Sequence, residues 1–186
     1  MNPVLLEFPS EFETERLLIR MPKPGDGSAV YQAIQASLEE LKPWMPWAHA
    51  NQSEDDVEAN IRESHAKFLM RQDLRLLVFN KRTGDLIASS GLHRINWDVP
   101  KFEIGYWIDS RFGGKGFMTE AAKGIANFAF KELGAKRVEI RCDSRNEKSR
   151  KIPERLGFQL EGILKNDSID VEGNLSSTCI FAKTTS

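Results

Sequence analysis

The chain has 186 residues, 28% of them charged and 40% hydrophobic, with a formal net charge of −1. That length gives one domain with a full core. No apolar run is long enough to span a bilayer, and the near-neutral charge leaves no footprint for nucleic acid.

At the N-terminus, MNPVLLEFPSEFETERLLIR lacks the basic start and long apolar segment of a signal peptide, so the expected location is cytoplasmic. Residues 17–20 read as a strand, ended by the breaker Pro22-Lys-Pro-Gly25. Asp26 or Ser28 then caps a helix running to about Leu41, with Val30, Ile34 and Leu38 on one face. In Lys42-Pro-Trp-Met-Pro-Trp47 the two prolines forbid regular helix and leave an aromatic loop. Ser53-Glu-Asp-Asp opens a second helix, with Val57, Ile61, Ala66 and Phe68 as its apolar stripe.

β character follows. Residues 74–80, a turn at Arg82-Thr-Gly84 and residues 86–95 form a hairpin, and 101–109 (KFEIGYWID) alternate as a further strand. Beyond a glycine-rich loop, Ala121, Ala122, Ile125, Phe128, Ala129 and Leu133 mark a helix that ends at Gly134. Residues 137–142 are another strand, 149–156 a short helix, and 158–161 and 177–181 two closing strands. The order β-α-α-β-β-β-α-β-α-β-β predicts a single α/β (α+β) domain around a mixed, mostly antiparallel sheet.

Charge is unevenly spread. Residues 39–63 carry seven acidic side chains against Lys42 and Arg62, and residues 136–151 seven basic ones against Glu139, Asp143 and Glu147. The first block suits a cationic substrate and the second suits phosphates; solvated helix faces explain both equally well. Cys142 and Cys179 sit in strand-like runs with no metal-site spacing, so they read as reduced thiols.

The most informative stretch is Arg111-Phe-Gly-Gly-Lys-Gly-Phe-Met-Thr-Glu120, between a strand and a helix. Glycines there let backbone N–H groups converge, and the helix N-terminus adds positive potential, which together suit a pyrophosphate. A P-loop would need Ser or Thr after Lys115, and a Rossmann loop a small residue where Thr119 stands, so neither fits.

The pattern R-x-x-G-x-G (Arg111, Gly114, Gly116) after FEIGYWID resembles the acetyl-CoA loop of the Gcn5-related N-acetyltransferase family. Downstream, Asn146-Glu-Lys-Ser149, Pro153-Glu-Arg-Leu-Gly157-Phe158 and Glu161-Gly162 resemble the second motif of the RimJ/RimL-type ribosomal-protein N-terminal acetyltransferases. Thr14-Glu-Arg-Leu-Leu-Ile-Arg20 resembles their opening pattern, and Leu41-Lys-Pro-Trp-Met-Pro-Trp47 their substrate-side loop, so the resemblance covers roughly residues 13–182.

The resemblance implies acetyl-CoA as co-substrate and no metal. It implies that amides of Gly113, Gly114, Lys115, Gly116, Phe117 and Met118 hold the pyrophosphate, with Thr119 at the helix start and Arg111 leading in. Trp107, Ile108 and Asp109 would run beside the pantetheine arm, Asn146 and Ser149 near the thiol, and Arg145, Lys148 and Lys151 near the 3′-phosphate. Trp44, Trp47 and His93 would contact the acceptor. Dimerisation is a family expectation.

Acetyl transfer from a thioester needs a neutral amine, a stabilised oxyanion and a proton for the thiolate. An α-amine has a pKa of about 8 and a lysine amine about 10.4, so an N-terminal acceptor needs only modest base help. The resemblance puts oxyanion donors on the backbone around Ile108. Many members of the wider family protonate the thiolate from a tyrosine in the second motif; this chain has only Tyr31 and Tyr106. Ser149 stands where the RimJ/RimL group has serine and is the expected acid or thiol hydrogen-bond donor, with helix capping as its alternative role.

Glu103 is a candidate base, and equally an exposed residue of a half-buried strand. Some RimL relatives carry a glutamate where Ser168 stands here, beside Asp167 and Asp170. His93 is a third candidate, read rather as structural or substrate-contacting. The leading expectation is acetylation of a protein α-amine, such as a ribosomal protein's N-terminal Ser or Ala. Acetylation of a small amine (a polyamine, amino acid or aminoglycoside) and a non-catalytic CoA-binding sensor are the alternatives.

Overall fold

The computed structural model describes residues 2–185. Eight strands form one sheet: β1 (Glu11–Glu13), β2 (Leu17–Arg20), β3 (Leu74–Asn80), β4 (Leu86–Asn96), β5 (Lys101–Ile108), β6 (Arg137–Asp143), β7 (Gln159–Ile169) and β8 (Leu175–Thr184). Their spatial order is β1-β2-β3-β4-β5-β6-β8-β7. Among the described residues only β5 and β6 pair in parallel. A parallel pair needs a crossover, and here the crossover contains the longest amphipathic helix after β5. The expected mixed, mostly antiparallel α/β architecture is what forms.

Helices cover both faces: α1 (Gly27–Ala36), α2 (Leu38–Leu41), α3 (Glu54–Leu69), α4 (Phe117–Glu132) and α5 (Glu147–Arg155). On one face the small residues Ala121, Ala122 and Ala129 let α4 approach Leu76, Phe102 and Ile104 closely, and Ile125 fills the centre. On the other, Val30, Ile34, Val57 and Ile61 of α1 and α3 bury against Leu77 and Leu86. Alternation along β5 therefore sends Phe102 and Ile104 toward α4, and Glu103, Gly105 and Trp107 toward the opposite face. Among the described residues no helix is long and apolar enough to cross a membrane.

Three local readings change. The first helix does not run unbroken to Leu41; it breaks at Ser37, which is fully buried. The Ser37 hydroxyl accepts the Ser110 amide at 2.8 Å, and the Ser110 hydroxyl donates to the Ala36 carbonyl at 2.9 Å. The exit of β5 thus cuts the helix in two, a tertiary effect that helical periodicity does not carry. A strand, β1, precedes the first one expected; its Glu-Phe-Glu pattern is largely exposed and leaves little apolar signal. The last two strands are also longer than read: β8 has 10 residues where five were expected, and β7 has 11 where four were expected, because β7 is solvent-exposed along nearly its whole length and shows no buried face.

Candidate active site

The sheet opens where β5 and β6 meet. They pair through Lys101↔Arg137, Phe102↔Val138 and Glu103↔Glu139, and no further. Beyond that point β5 stays with β4 as far as Ile108, while β6 stays with β8 as far as Asp143. The two parallel strands diverge like the arms of a V, so the β6-facing edge of Ile104 to Ile108 has no strand partner among the described residues. Such an edge pairs readily with another extended chain.

The glycine loop closes the top of this V. Gly114 and Gly116 have φ of +74° and +78°, a region costly for a residue with a Cβ. Gly116 is the N-cap of α4 and supplies no side chain to satisfy the first turn. Among the described residues the amides of Gly114, Lys115, Gly116, Phe117, Met118 and Thr119 have no hydrogen-bond partner, and Glu120 is the first to bond, to the Gly116 carbonyl. Six free amides at a helix N-terminus form an anion site. The Gly113 amide differs: it is spent on the Ser110 carbonyl at 3.1 Å. Arg111 is spent too, its guanidinium and amide both donating to the fully buried Asp109 carboxylate, which fixes the turn leading into the loop.

The opening Thr14-Glu-Arg segment acts at the same place. Glu120, in the first turn of α4, accepts the Thr14 hydroxyl at 2.6 Å, the Arg16 amide at 2.8 Å and the Arg16 Nε at 2.6 Å. Burial alone would raise its pKa, but these bonds outweigh it and hold the carboxyl below its ordinary value. Arg16 also donates to the Lys115 carbonyl and stacks over the Phe117 ring. The clamp fixes the loop while keeping Glu120 oxygens occupied and away from an anion. A cleft of about 720 Å³ continues from Gly116 and Thr119 past Lys123 and Asn127 to Arg155.

At the mouth of the V, Asn146 caps α5 by accepting the Ser149 amide at 3.1 Å. The helix thus starts before the expected residue, and Ser149 lies in its first turn with its hydroxyl left over from capping. That hydroxyl donates to the Tyr106 hydroxyl at 3.2 Å, and Tyr106 donates to the Ser149 carbonyl at 2.9 Å. Tyr106 therefore spans from β5 to α5. Burial pushes its pKa well up, so the phenol keeps its proton. Burial likewise pushes the Cys142 thiol up to about 11, which favours the protonated thiol at neutral pH.

The opposite face carries the remaining candidates. Trp47 packs on Trp107 with ring centroids 5.8 Å apart, tying the aromatic loop to the floor of the V, while Trp44 is exposed. Glu103 lies between Arg94 and Arg141, each with Nε 3.6 Å from its carboxylate. His93 is its neighbour across the β4–β5 ladder. Ser168 faces away from a base role: its hydroxyl joins Ser176, which donates to Asp143.

The two charged blocks are mostly spent on structure. Asp56 and Ser53 make a capping box for α3, and Glu58 accepts the Gly25 and Gly27 amides. Arg137 pairs with Glu139 and Glu161, and Arg145 with Asp143 and Asp170.

Residues 16–159 match the acetyltransferase (GNAT) domain family. The chain belongs to the GNAT acetyltransferases. A putative ribosomal N-acetyltransferase from Bacillus subtilis, YdaF, is 34% identical over 163 residues, covering 86% of each chain. The ribosomal-protein-serine acetyltransferase of Escherichia coli is 27% identical over 146 residues, covering 76% of this chain and 80% of its own. Among solved structures, the microcin C7 self-immunity acetyltransferase MccE, in complex with acetyl-CoA and AMP, superposes with a TM-score of 0.87 at 24% identity, covering 96% of this chain and 98% of its own. RimL, in complex with coenzyme A, gives 0.85 at 19% identity, covering 92% and 95%. The protein is thus an N-acetyltransferase of this fold. In this acetyltransferase, sequence reasoning missed Glu120, which clamps the glycine loop, Tyr106, which holds Ser149, and Lys123 and Arg155, which line the cleft. Thr14 and Arg16 lay inside a motif already singled out, but their contact with Glu120 was invisible.

Proposed function

We propose that the protein transfers the acetyl group of acetyl-CoA to the α-amine of a protein N-terminus, with a ribosomal protein's Ser or Ala terminus as the acceptor class. The observation that carries the donor half is the row of six unpaired amides from Gly114 to Thr119 beside an unpaired β5 edge. In this reading the amides take the pyrophosphate and the pantetheine arm lies along Ile104 to Ile108. The adenosine end follows the cleft past Lys123 and Arg155, neither of which forms an ion pair among the described residues. This placement departs from the Arg145, Lys148 and Lys151 cluster, because Arg145 is already paired twice.

Backbone amides on the unpaired edge of β5 polarise the thioester carbonyl, and Ser149 supports the departing thiolate. A serine hydroxyl turns about its C–O bond, so it can exchange Tyr106 for a sulfur acceptor, while Tyr106 holds the Ser149 backbone in place. The acceptor half rests on the ribosomal acetyltransferase relatives and on an acceptor face bordered by the exposed Trp44. Labelled acetyl-CoA incubated with peptides starting in Ser or Ala, and separately with polyamines, amino acids and aminoglycosides, tests it. Peptide acetylation is the expected result; turnover on small amines alone would sink it.

A further inference from the structure

On β4, His93 Nδ1 lies 2.7 Å from Asp73 Oδ2. A carboxylate can only accept, so Nδ1 carries the proton and Nε2 of the neutral ring keeps its lone pair. Among the described residues Nε2 has no hydrogen-bond partner, and the imidazole is one-third exposed.

Two glycines place the ring. Gly91 and Gly105 face each other across the β4–β5 ladder. A Cβ on Gly91 would lie 2.8 Å from His93 Cε1, and one on Gly105 would lie 3.1 Å from Cδ2 and 3.5 Å from Nε2. The imidazole occupies the notch left by two absent side chains, with Nε2 on the Gly105 side. Gly105 is two residues past the last β5 residue that pairs with β6, so the notch opens onto the splayed stretch of β5. Around it stand Glu103 on β5, flanked by Arg94 and Arg141, and Arg75 on β3, which donates to Ser89, Asn60 and Ser64. Lys67 of α3 lies within electrostatic reach of Asp73. Of the two base candidates here, the Glu103 carboxylate sits 3.6 Å from two guanidinium groups, whereas His93 Nε2 has neither an ion pair nor a hydrogen bond among the described residues.

We propose that His93 is the general base of acetyl transfer, with Asp73 as its positioning residue. This rests on the acetyl-transfer reading above. The neutral amine attacks the thioester carbon, forming the N–C bond and an oxyanion. The ammonium of that adduct gives one proton to His93 Nε2. The C–S bond breaks as the carbonyl re-forms, and the thiolate, held by the Ser149 hydroxyl, takes a proton from solvent. The imidazolium, steadied by Asp73, returns its proton to solvent, so proton count is conserved.

The test is steady-state kinetics of the full chain with acetyl-CoA, a Ser-terminated peptide and, in parallel, small amines. His93→Gln should lower kcat/KM by about 100-fold or more, the lower bound for general-base catalysis, with acetyl-CoA affinity and Tm kept. Asp73→Asn should lose about 10-fold, and the double variant should be no worse than His93→Gln alone, as expected of residues acting as a unit. Free imidazole should restore part of the activity of His93→Ala, which a purely structural ring would not allow. Near-normal turnover by His93→Gln alongside a collapse in Glu103→Gln would overturn the proposal. So would additive losses for Asp73 and His93 together with no imidazole rescue. Turnover on small amines alone would remove the N-terminal reading and leave this test intact, because the base serves whichever amine is acetylated.

Discussion

Ser149 and Asp143 show how far single side chains are specialised. With Asn146 as the cap of α5, the Ser149 hydroxyl is left over from capping and donates to Tyr106. Ser149→Ala should therefore leave acetyl-CoA affinity within about twofold and lower kcat by about 10- to 100-fold, the loss of one hydrogen bond to a developing charge. Stopped-flow binding beside steady-state rates separates the two, and an unchanged kcat would remove Ser149 from the chemistry. Asp143 has a different task. Hydrogen bonds from Arg145, aided by Ser176, hold its carboxyl at about 2 against an ordinary 3.8. The unfolded chain thus takes up this proton first as pH drops. The stability Asp143 contributes is complete above pH 3.8 and is lost as pH falls from there through 2. Half of the Arg145 side chain is in water, so the contribution is only about 1 kcal/mol. Urea melts of Asp143→Asn should show that deficit at neutral pH, and the gap to the wild type should close toward pH 2.

The decisive element is α4 with its clamp. Gly124 lies in the middle of the helix, where glycine ordinarily costs about 1 kcal/mol relative to alanine. Here it lets β1 and β2 approach: a Cβ at this position would lie 2.7 Å from Thr14 Cγ2 and 3.4 Å from Phe12. Thr14 cannot turn aside without giving up its bonds to Glu120 and the Leu17 amide. Gly124→Leu should accordingly cost about 3 kcal/mol, the upper end of overpacking, and raise the KM for acetyl-CoA as the loop loosens. Thermal melts and initial rates check both parts. The contrast with the loop glycines says what sequence can carry. Gly114 and Gly116 were legible because a strand-to-helix turn with converging amides needs residues without a Cβ, and that need is local. The Glu120 clamp was not legible, since its partners lie more than a hundred positions away. The same holds for the Ser37–Ser110 contact that divides α1 from α2, and for Asp73, which meets His93 across twenty residues. Periodicity reported the helices and the central strands because each buries a face; β1 and β7 bury almost none.

For the molecule as a whole, the V between β5 and β6 is an incomplete stretch of sheet whose edges belong to two different pairings. α4 and the glycine loop join one arm, α5 the other, and Tyr106 ties them together through Ser149. A ligand lying along this opening bridges both arms and should stabilise the native state as one unit. At a hundred times its Kd, acetyl-CoA should add about 2.7 kcal/mol, which for a domain of this size raises Tm by about 5–10 °C. The variants divide the effect. Gly116→Ala places a Cβ at φ +78° and disturbs the first free amides, so the shift should shrink. Ser149→Ala and His93→Gln touch only the chemistry, so the full shift should persist while turnover falls. A full shift with no turnover on any amine, in the unaltered protein, would instead favour a CoA-binding sensor. A Gly116→Ala shift equal to the wild type's would take the pyrophosphate off the glycine loop.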